Sequence, residues 1–329
     1  MKIVYKKNDW GEDAVAATVG FFDGVHPGHR FLLREMRRLA SERGIPSAVI
    51  TFPVHPRVIL HSDYQPKLLN SFDEKLTLLS ETGVDYIIVI DFTPELARLT
   101  AQEFLASVLV ADWKVRTLLV GYNHRFGFRP TEGTEQYILD GEAYGVEVLK
   151  ISSYNNTEGT VVSSSMVRRL IEAGDVAAAS RLLGYHYQLK GHVIDGNGLG
   201  RRIGFPTANL EVEEKFKVIP RNGSYAVRIT IDNKRYNGML YIGSRPTIGN
   251  DDSLRIEAHI FDFADDIYNE SIVVEFVEFI REGKKFNSLD ELREQIREDK
   301  AKALFLAKNY STVNRTPLPG ASHFCSSTK

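Results

Sequence analysis

The sequence changes its pattern near Gly184, and this change constrains the fold more than any other feature. Before that point, apolar runs alternate with segments in which apolar residues recur with helical period. Two of these helical segments begin with a capping box, at Ser71 and at Thr100. Near-continuous apolar strands separated by helices are typical of a parallel sheet covered on both faces. The predicted strands are Ala17–Phe22, Ala48–Phe52, Tyr86–Ile90, Thr117–Gly121 and Val146–Ile151.

After Gly184, strand-like segments follow one another across turns, with no long helix between them. This pattern predicts an antiparallel barrel or sandwich that is closed by one C-terminal helix, which begins at a capping box of Ser288 and Glu291. The Pro-, Ser- and Thr-rich end predicts a disordered tail. The expected division is an α/β domain at 1–184, a β-barrel domain at 185–309 and a tail at 310–329. The predicted strands of the second half lie at Tyr187–Ile194, Tyr225–Ile231, Asn237–Ile242, Arg255–Phe261 and Ile272–Phe279.

Composition excludes several classes of protein. Lys and Arg number 41 and Asp and Glu 43, a net charge of −2, which gives no general attraction to nucleic acid or to anionic membranes. The single cysteine, Cys325, can form neither an intrachain disulfide nor a Cys-based zinc site. The N-terminal segment has no signal-peptide core, and no window has the apolar length of a transmembrane helix. We expect a cytoplasmic protein that binds neither nucleic acid nor membrane, with an oligomeric state that the sequence leaves open.

The segment GFFDGVHPGH joins the first predicted strand to the first predicted helix. The free N–H groups of a helix N-terminus favour anions, and the imidazoles of His26 and His29 can donate to phosphate oxygens. Gly24 and Gly28 would let the backbone approach a nucleotide closely. A tight turn with two packed histidines is the structural alternative. The placement between strand and helix favours a phosphate site with His26 and His29 as catalytic residues.

This segment resembles the HxGH signature of the nucleotidyltransferase superfamily, and the longer string resembles its flavin-nucleotide branch. Such enzymes attack the α-phosphate of a nucleoside triphosphate and release pyrophosphate. TFPVHP at Thr51–Pro56 resembles a further segment of that branch. His55 in this segment fits a structural turn as well as it fits a functional role. Two other segments, GYNHRFG and SSSMVR, also match that branch, although His124 stands where Phe is frequent and Ser165 where Thr is usual. The resemblance implies nucleotide or phosphate binding by Asn123, Arg125, Ser164, Ser165 and Arg168.

A glycine-rich segment opens the second half, with Gly196, Gly198, Gly200 and Gly204 spaced so that backbone N–H groups could wrap phosphates. Its spacing is neither that of a Walker A loop nor that of a dinucleotide fingerprint. It runs into GFPTAN, which resembles the riboflavin kinase family. The resemblance implies that Thr207 and Asn209 hold Mg²⁺ with ATP, a role that oxygen donors suit.

Glu257 alternates with apolar residues along a predicted strand and therefore shares a face with Arg255 and His259. A solvated strand face is the usual place of such a glutamate. The strand nevertheless resembles the one that carries the catalytic base in the riboflavin kinase family, which implies that role for Glu257. The segment around Arg281 resembles that family's flavin-binding segment, which implies flavin contacts. Two residues depart from the family pattern: Tyr241 replaces Asn, and Gly283 replaces Glu.

The order of the two motif sets resembles the bacterial bifunctional riboflavin kinase/FMN adenylyltransferase family, also called FAD synthetases, over residues 15–309. The resemblance implies an enzyme that uses ATP, riboflavin and FMN as small-molecule substrates and requires Mg²⁺. It makes FMN in the second half and FAD in the first. Two alternatives stay open. The first half could be inactive or adenylylate a different acceptor, such as a pantetheine or nicotinate nucleotide. The chain could also be a non-enzymatic flavin-binding or RNA-binding protein, although its pI near 6.5 argues against RNA.

Overall fold

The computed structural model describes residues 1–60, 63–121, 134–152, 154, 161–196, 199–244 and 254–309. By its internal contacts the chain divides into two compact units, Met1–Ser164 and Ser165–Lys329. Asn123, Arg125 and Gly198, three of the predicted site residues, lie outside the described residues, as does the predicted tail.

The first unit is built on a six-stranded sheet in which every described pairing is parallel. This confirms the α/β expectation. The strand order is β1-β4-β3-β2-β5-β6, so the chain leaves β2 toward one edge and later returns beside it as β5. The carboxyl ends of β2 and β5 therefore flank a topological switch point, where open sheets of this kind bind ligands. The strands are β1 (Lys2–Val4), β2 (Val15–Val19), β3 (Ser47–Thr51), β4 (Tyr86–Val89), β5 (Val115–Val120) and β6 (Glu147–Lys150).

Helices cover both faces of this sheet. Alternation within β3 divides the core, since Ala48 and Ile50 belong to one apolar cluster and Val49 to the other. Both predicted capping boxes, at Ser71 and Thr100, are formed. The described helices of the unit are α1 (Pro27–Arg43), α2 (Pro56–Leu60), α3 (Phe72–Ser80), α4 (Ala101–Glu103), which continues as a π-helical segment (Phe104–Asp112), and α5 (Thr134–Ala143).

The second unit contains a closed six-stranded antiparallel barrel, which settles the choice between barrel and sandwich. The order around the barrel is β10-β11-β8-β7-β12-β9. Its interior is filled by the inward-pointing residues of these strands, including Tyr225, Ile229, Ile242 and Phe276, all fully buried. The strands are β7 (Gln188–Ile194), β8 (Ala208–Val212), β9 (Gly223–Ile231), β10 (Lys234–Ser244), β11 (Leu254–Ile260) and β12 (Ser271–Arg281).

In the part of this unit that the structure describes, four helices belong to it or enter it: α6 (Ser164–Glu172), α7 (Val176–Leu183), α8 (Leu199–Arg202) and α9 (Leu289–Asn309). The long helix α9 begins after Ser288, whose hydroxyl accepts a hydrogen bond from the Glu291 amide at 3.1 Å. Its apolar residues Ile296, Ala303 and Leu304 pack on the outer face of the barrel. Among the described residues, no helix combines the length and the apolar composition needed to cross a membrane.

Candidate functional site

The loop that follows β2 is held in an unusual backbone conformation. Phe22, Gly24 and Val25 have positive φ angles of 55°, 84° and 34°, a region that costs side-chain-bearing residues free energy. Both Phe22 and Val25 are buried, so core packing offsets this cost. The buried Asp23 carboxylate accepts hydrogen bonds from the amides of Leu69 and Asn70, the closest at 2.9 Å. The Asp23 carbonyl accepts one from the Ser164 hydroxyl at 2.8 Å.

The two histidines of HPGH stack on each other at the start of α1. Their ring centroids are 3.8 Å apart with an interplanar angle of 20°. His26 is the N-cap residue, and Pro27 takes the first helical position. Gly28 leaves room for this arrangement, since a Cβ there would lie 3.2 Å from the His26 ring. The sequence therefore predicted correctly that these residues lie between a strand and a helix.

Desolvation keeps the second histidine neutral. His29 retains some exposed surface, but its Nδ1 is enclosed and has no hydrogen-bond partner among the described residues. Burial lowers the pKa of His29 well below 6.5, and the adjacent His26 lowers it further. A neutral imidazole can present one N–H to an anion without a fixed positive charge.

Lys75 connects the loops after β2 and β3, and sequence reasoning missed it. Its Nζ donates to the Phe52 carbonyl at 2.7 Å and lies 3.9 Å from the centroid of the Phe21 ring. Only 2% of Lys75 is exposed, and burial lowers its pKa to about 7, with the Asp23 carboxylate acting in the opposite direction. The sequence places Lys75 on α3 without any signal for its burial, because the contact depends on how α3 packs.

This burial predicts a pH dependence of stability. Between pH ~7 and pH ~10 the unfolded chain keeps a proton on Lys75 that the folded chain has released, so the free energy of unfolding rises with pH. The expected slope approaches about 1.4 kcal/mol per pH unit. Urea unfolding of wild type and Lys75→Met across this pH range measures the slope. The difference between the free energies of unfolding of the two proteins should change with pH. Lys150→Met, at an exposed lysine, is the control. Parallel plots of the free energy of unfolding against pH for wild type and Lys75→Met would contradict the prediction.

Other predicted residues of this half are placed on α6 or at the loop after β3. Ser164 is the first residue of α6, and Ser165 and Arg168 follow in its first two turns. His55 packs edge to face against Phe21, with centroids 4.7 Å apart. The segment GYNHRFG begins at Gly121, directly after β5, so its first residue lies beside the loop of β2, as the strand order requires.

Three predicted residues of the second half, Asn209, Glu257 and Arg281, lie in one lateral row that crosses five strands of the barrel. Cross-strand partners point to the same face of a sheet. Asn209 pairs with Glu257, Glu257 with Tyr241, Tyr241 with Ser224, and Ser224 with Arg281. Adjacent strands lie ~4.8 Å apart, so the row extends roughly 19 Å. We call these five residues the outer row, because their strand neighbours Ile256, Ala258 and Ile242 fill the interior.

A bulge in β12 brings Arg281 into this row. The register between β12 and β9 shifts between Phe279 and Arg281, which leaves Ile280 as an extra residue. Bulges re-aim side chains next to functional sites. Arg281 then forms an ion pair with Asp299 of α9, with Nη2 2.8 Å from Oδ2, and Asp299 is 4% exposed. Asp299 is a site residue that sequence reasoning missed, although it follows Ile296 by three residues and precedes Ala303 by four, so that it lies on the apolar stripe of α9.

A cavity of about 290 Å³ covers the outer row. Thr207, Asn209 and Glu257 line one end of the row, and α9 contributes Leu292 and Ile296 at the other. The cavity therefore has hydroxyl, amide and carboxylate groups at one end, and apolar side chains beside the Arg281–Asp299 ion pair at the other.

The glycine-rich segment packs closely against the polar end. A Cβ at Gly196 would collide with the Asn209 side-chain amide, and a Cβ at Gly200 would lie 3.1 Å from the Thr207 hydroxyl. Gly204 has a φ of 85°, which favours glycine. Two of these glycines thus give the predicted ATP–metal residues their space.

His259 supports this end of the cavity. Its Nδ1 donates to the Pro206 carbonyl, 2.8 Å away, because a carbonyl can only accept. Nε2 is then the unprotonated nitrogen, and this buried atom has no partner among the described residues. Burial lowers the pKa of His259, which keeps this tautomer neutral. His259 therefore fixes the residue preceding Thr207 to the strand that carries Glu257, a role that the sequence pattern alone did not predict.

Comparisons with known proteins identify both halves. The FAD synthetase family model matches residues 9–166, and the riboflavin kinase family model matches residues 183–306. A bifunctional riboflavin kinase/FMN adenylyltransferase from Listeria monocytogenes is 34% identical over 305 residues, 91% of this chain and 96% of that protein. The Escherichia coli K12 protein of the same description is 37% identical over 298 residues, 89% of this chain and 92% of that protein.

A solved structure is similar over most of the chain. It is described as a macrolide-efflux protein from Streptococcus pneumoniae, superposes with a TM-score of 0.81 at 31% identity, and covers 92% of this chain and 98% of its own. That description concerns the other protein, whereas the two family models and the curated relatives agree with each other and with the motifs of both halves. The chain belongs to the bifunctional riboflavin kinase/FMN adenylyltransferase family.

Proposed function

We propose that this chain phosphorylates riboflavin to FMN in the barrel and adenylylates FMN to FAD in the parallel-sheet half, with ATP as the donor in both reactions. Its family membership and both family models support the pair of activities. The outer row is the observation that carries the first activity at the level of residues, because it joins the predicted ATP–metal end to the predicted base within one cavity.

In the barrel, Glu257 accepts the proton of the ribityl 5′-hydroxyl. The oxygen forms a bond to the γ-phosphorus, the bond between that phosphorus and the bridging oxygen breaks, and ADP leaves with the electron pair. Asn209 is the direct cross-strand neighbour of Glu257, so the phosphates and the base meet at this end of the row. The segment containing Gly196, Gly200 and Gly204 covers the phosphates with backbone N–H groups.

Thr207 and Asn209 are proposed to hold Mg²⁺ together with ATP. Family members use ATP, generally with a divalent metal. The fit is chemical, since a hydroxyl and an amide oxygen line the same cavity and leave the remaining positions to phosphate oxygens and water. The ion would reduce the charge that opposes approach of the hydroxyl to the γ-phosphate. His259 maintains the position of Thr207 through the Pro206 carbonyl.

In the parallel-sheet half, a phosphate oxygen of FMN attacks the α-phosphorus of ATP, and pyrophosphate leaves. The nucleophile is already an anion, so no general base is required. His26 and His29 lie where α1 begins and donate to the triphosphate, which orients it and offsets developing charge. Asn123, Arg125, Ser165 and Arg168 stay predicted phosphate contacts, and Arg281 a predicted flavin contact.

The proposed domain boundaries remain 1–184, 185–309 and 310–329. The boundary between residues 184 and 185 is supported by the start of β7 at Gln188 and by the riboflavin kinase match from residue 183. The single cysteine and the use of ATP favour a cytoplasmic location.

Separation of flavins by chromatography tests the proposal. The purified chain is incubated with riboflavin, ATP and Mg²⁺, and a parallel reaction starts from FMN. We expect FMN and then FAD in the first reaction and FAD in the second, with neither in the presence of excess EDTA. FMN without FAD would refute the second activity, and no product from either substrate would support the flavin-binding alternative.

A further inference from the structure

Tyr241 and Gly283, the two departures from the riboflavin kinase pattern, contact each other in space. A Cβ at Gly283 would lie 2.9 Å from the Tyr241 hydroxyl oxygen, and its next neighbours at 3.8 Å belong to the same phenol. The phenol therefore lies where a side chain at residue 283 would begin. These residues are far apart in the sequence and lie on β10 and after β12, so only the fold reveals the contact.

A second glycine gives the ring its position. Gly243 follows Tyr241 by two residues on the same face of β10, and a Cβ there would lie 2.6 Å from both Cε1 and the hydroxyl of Tyr241. The phenol thus lies across Gly243 and ends at Gly283. Any side chain at either glycine would displace it.

This position makes Tyr241 part of the cavity wall. Tyr241 lines the cavity, is 38% exposed and lies between Glu257 and Ser224 in the outer row. Glu257 and Asn209 mark the phosphate end, so a ligand whose hydroxyl reaches Glu257 extends its body past Tyr241 toward α9. The exposed part of an aromatic side chain at this point offers a flat surface to a planar ring system.

We propose that Tyr241 is a specificity residue that contacts the isoalloxazine ring of riboflavin, and that Gly283 is its required partner because the phenol takes the place of a residue-283 side chain. The inference rests on the proposed riboflavin kinase activity. The replacement of Asn by Tyr241 and the replacement of Glu by Gly283 then form one coupled exchange, in which an aromatic ring takes the place of an amide and a carboxylate.

A double-mutant cycle tests the coupling. The variants are Tyr241→Asn, Gly283→Glu and the double variant, each compared by KM for riboflavin, KM for ATP and kcat of FMN formation. Gly283→Glu alone displaces the phenol from the cavity wall and should raise KM for riboflavin about tenfold, with KM for ATP unchanged. The double variant should recover part of that loss. Additive effects on KM for riboflavin would overturn the proposal. Gly11→Glu is the matched control, since nothing lies within 4 Å of a Cβ there.

A spectroscopic measurement tests the ring contact separately. A phenol in contact with the isoalloxazine ring quenches its fluorescence by electron transfer, and phenylalanine is a poor electron donor. Tyr241→Phe should therefore retain the affinity for riboflavin and raise the emission of the bound flavin. Unchanged emission would overturn the contact.

The free energies of unfolding of the same four proteins, measured without ligand, distinguish failure of the Tyr241–Gly283 inference from failure of the proposed riboflavin kinase activity. If wild type makes no FMN, the proposed function fails, yet a non-additive unfolding cycle would still support the Tyr241–Gly283 contact. If wild type makes FMN and both cycles are additive, only the present inference fails.

Discussion

Replacing Glu257 by glutamine is expected to lower kcat for FMN formation by roughly two to four orders of magnitude, the usual contribution of a positioned general base. Glutamine keeps the size and the hydrogen-bonding oxygen of the side chain but cannot accept the proton. Glu257 lies between Asn209 and Tyr241 in the outer row, so the substitution leaves its strand neighbours in place. Initial rates with saturating riboflavin and ATP measure the effect.

The same variant should form FAD from supplied FMN at the wild-type rate, because Glu257 belongs to the second unit and the predicted adenylylation residues His26 and His29 to the first. Glu211→Gln is a matched control at an exposed glutamate on the neighbouring strand β8. Equal loss of both activities in Glu257→Gln would refute the assignment of separate sites.

Replacing His29 by asparagine should produce the opposite pattern. FAD formation from FMN is expected to fall by about 10²–10³ in kcat, the typical effect of removing one donor to a developing charge, while FMN formation persists. The loss arises because asparagine does not extend as far as an imidazole and cannot stack on His26, whose ring lies 3.8 Å from that of His29.

Two measurements separate chemistry from folding in this variant. Retained riboflavin kinase activity shows that the second unit is intact, and an unchanged far-ultraviolet circular dichroism spectrum reports on the whole chain. His192→Asn, at an exposed histidine of β7, serves as the control. FAD formation at the wild-type rate in His29→Asn would remove His29 from the catalytic residues.

Local pattern predicted the architecture well where a segment carries its own signal. The five longer strands of the parallel sheet, the capping boxes at Ser71 and Thr100, and the apolar stripe of α9 were all recognised. Two strands were missed. β1 has three residues at the sheet edge, and β8 has five residues that mix polar and apolar types directly after the GFPT turn. Both are defined by their pairing with β4, β7 and β11 rather than by their own composition.

The residues of the candidate site likewise divide into those that local sequence predicts and those that only packing reveals. Motif position predicted that His26, His29, Thr207, Asn209 and Glu257 stand at strand ends or on a strand face. It did not predict that Lys75 is buried beneath two loops, that His259 fixes the Pro206 carbonyl, or that a bulge turns Arg281 toward Asp299. Each of these depends on packing between segments distant in sequence, which periodicity within one segment does not encode.

The closed barrel affects how the sequence of such a protein can evolve. Five of the strands carry one residue of the outer row beside residues that fill the interior, so the two sets occupy opposite faces of the same backbone. Substitutions at Asn209, Tyr241 and Glu257 alter ligand contacts without opening voids inside the barrel, whereas Arg281 is also needed to pair with the buried Asp299. The fold can therefore sample new substrate preferences at small cost in stability, provided that exchanges such as the one at residues 241 and 283 occur together.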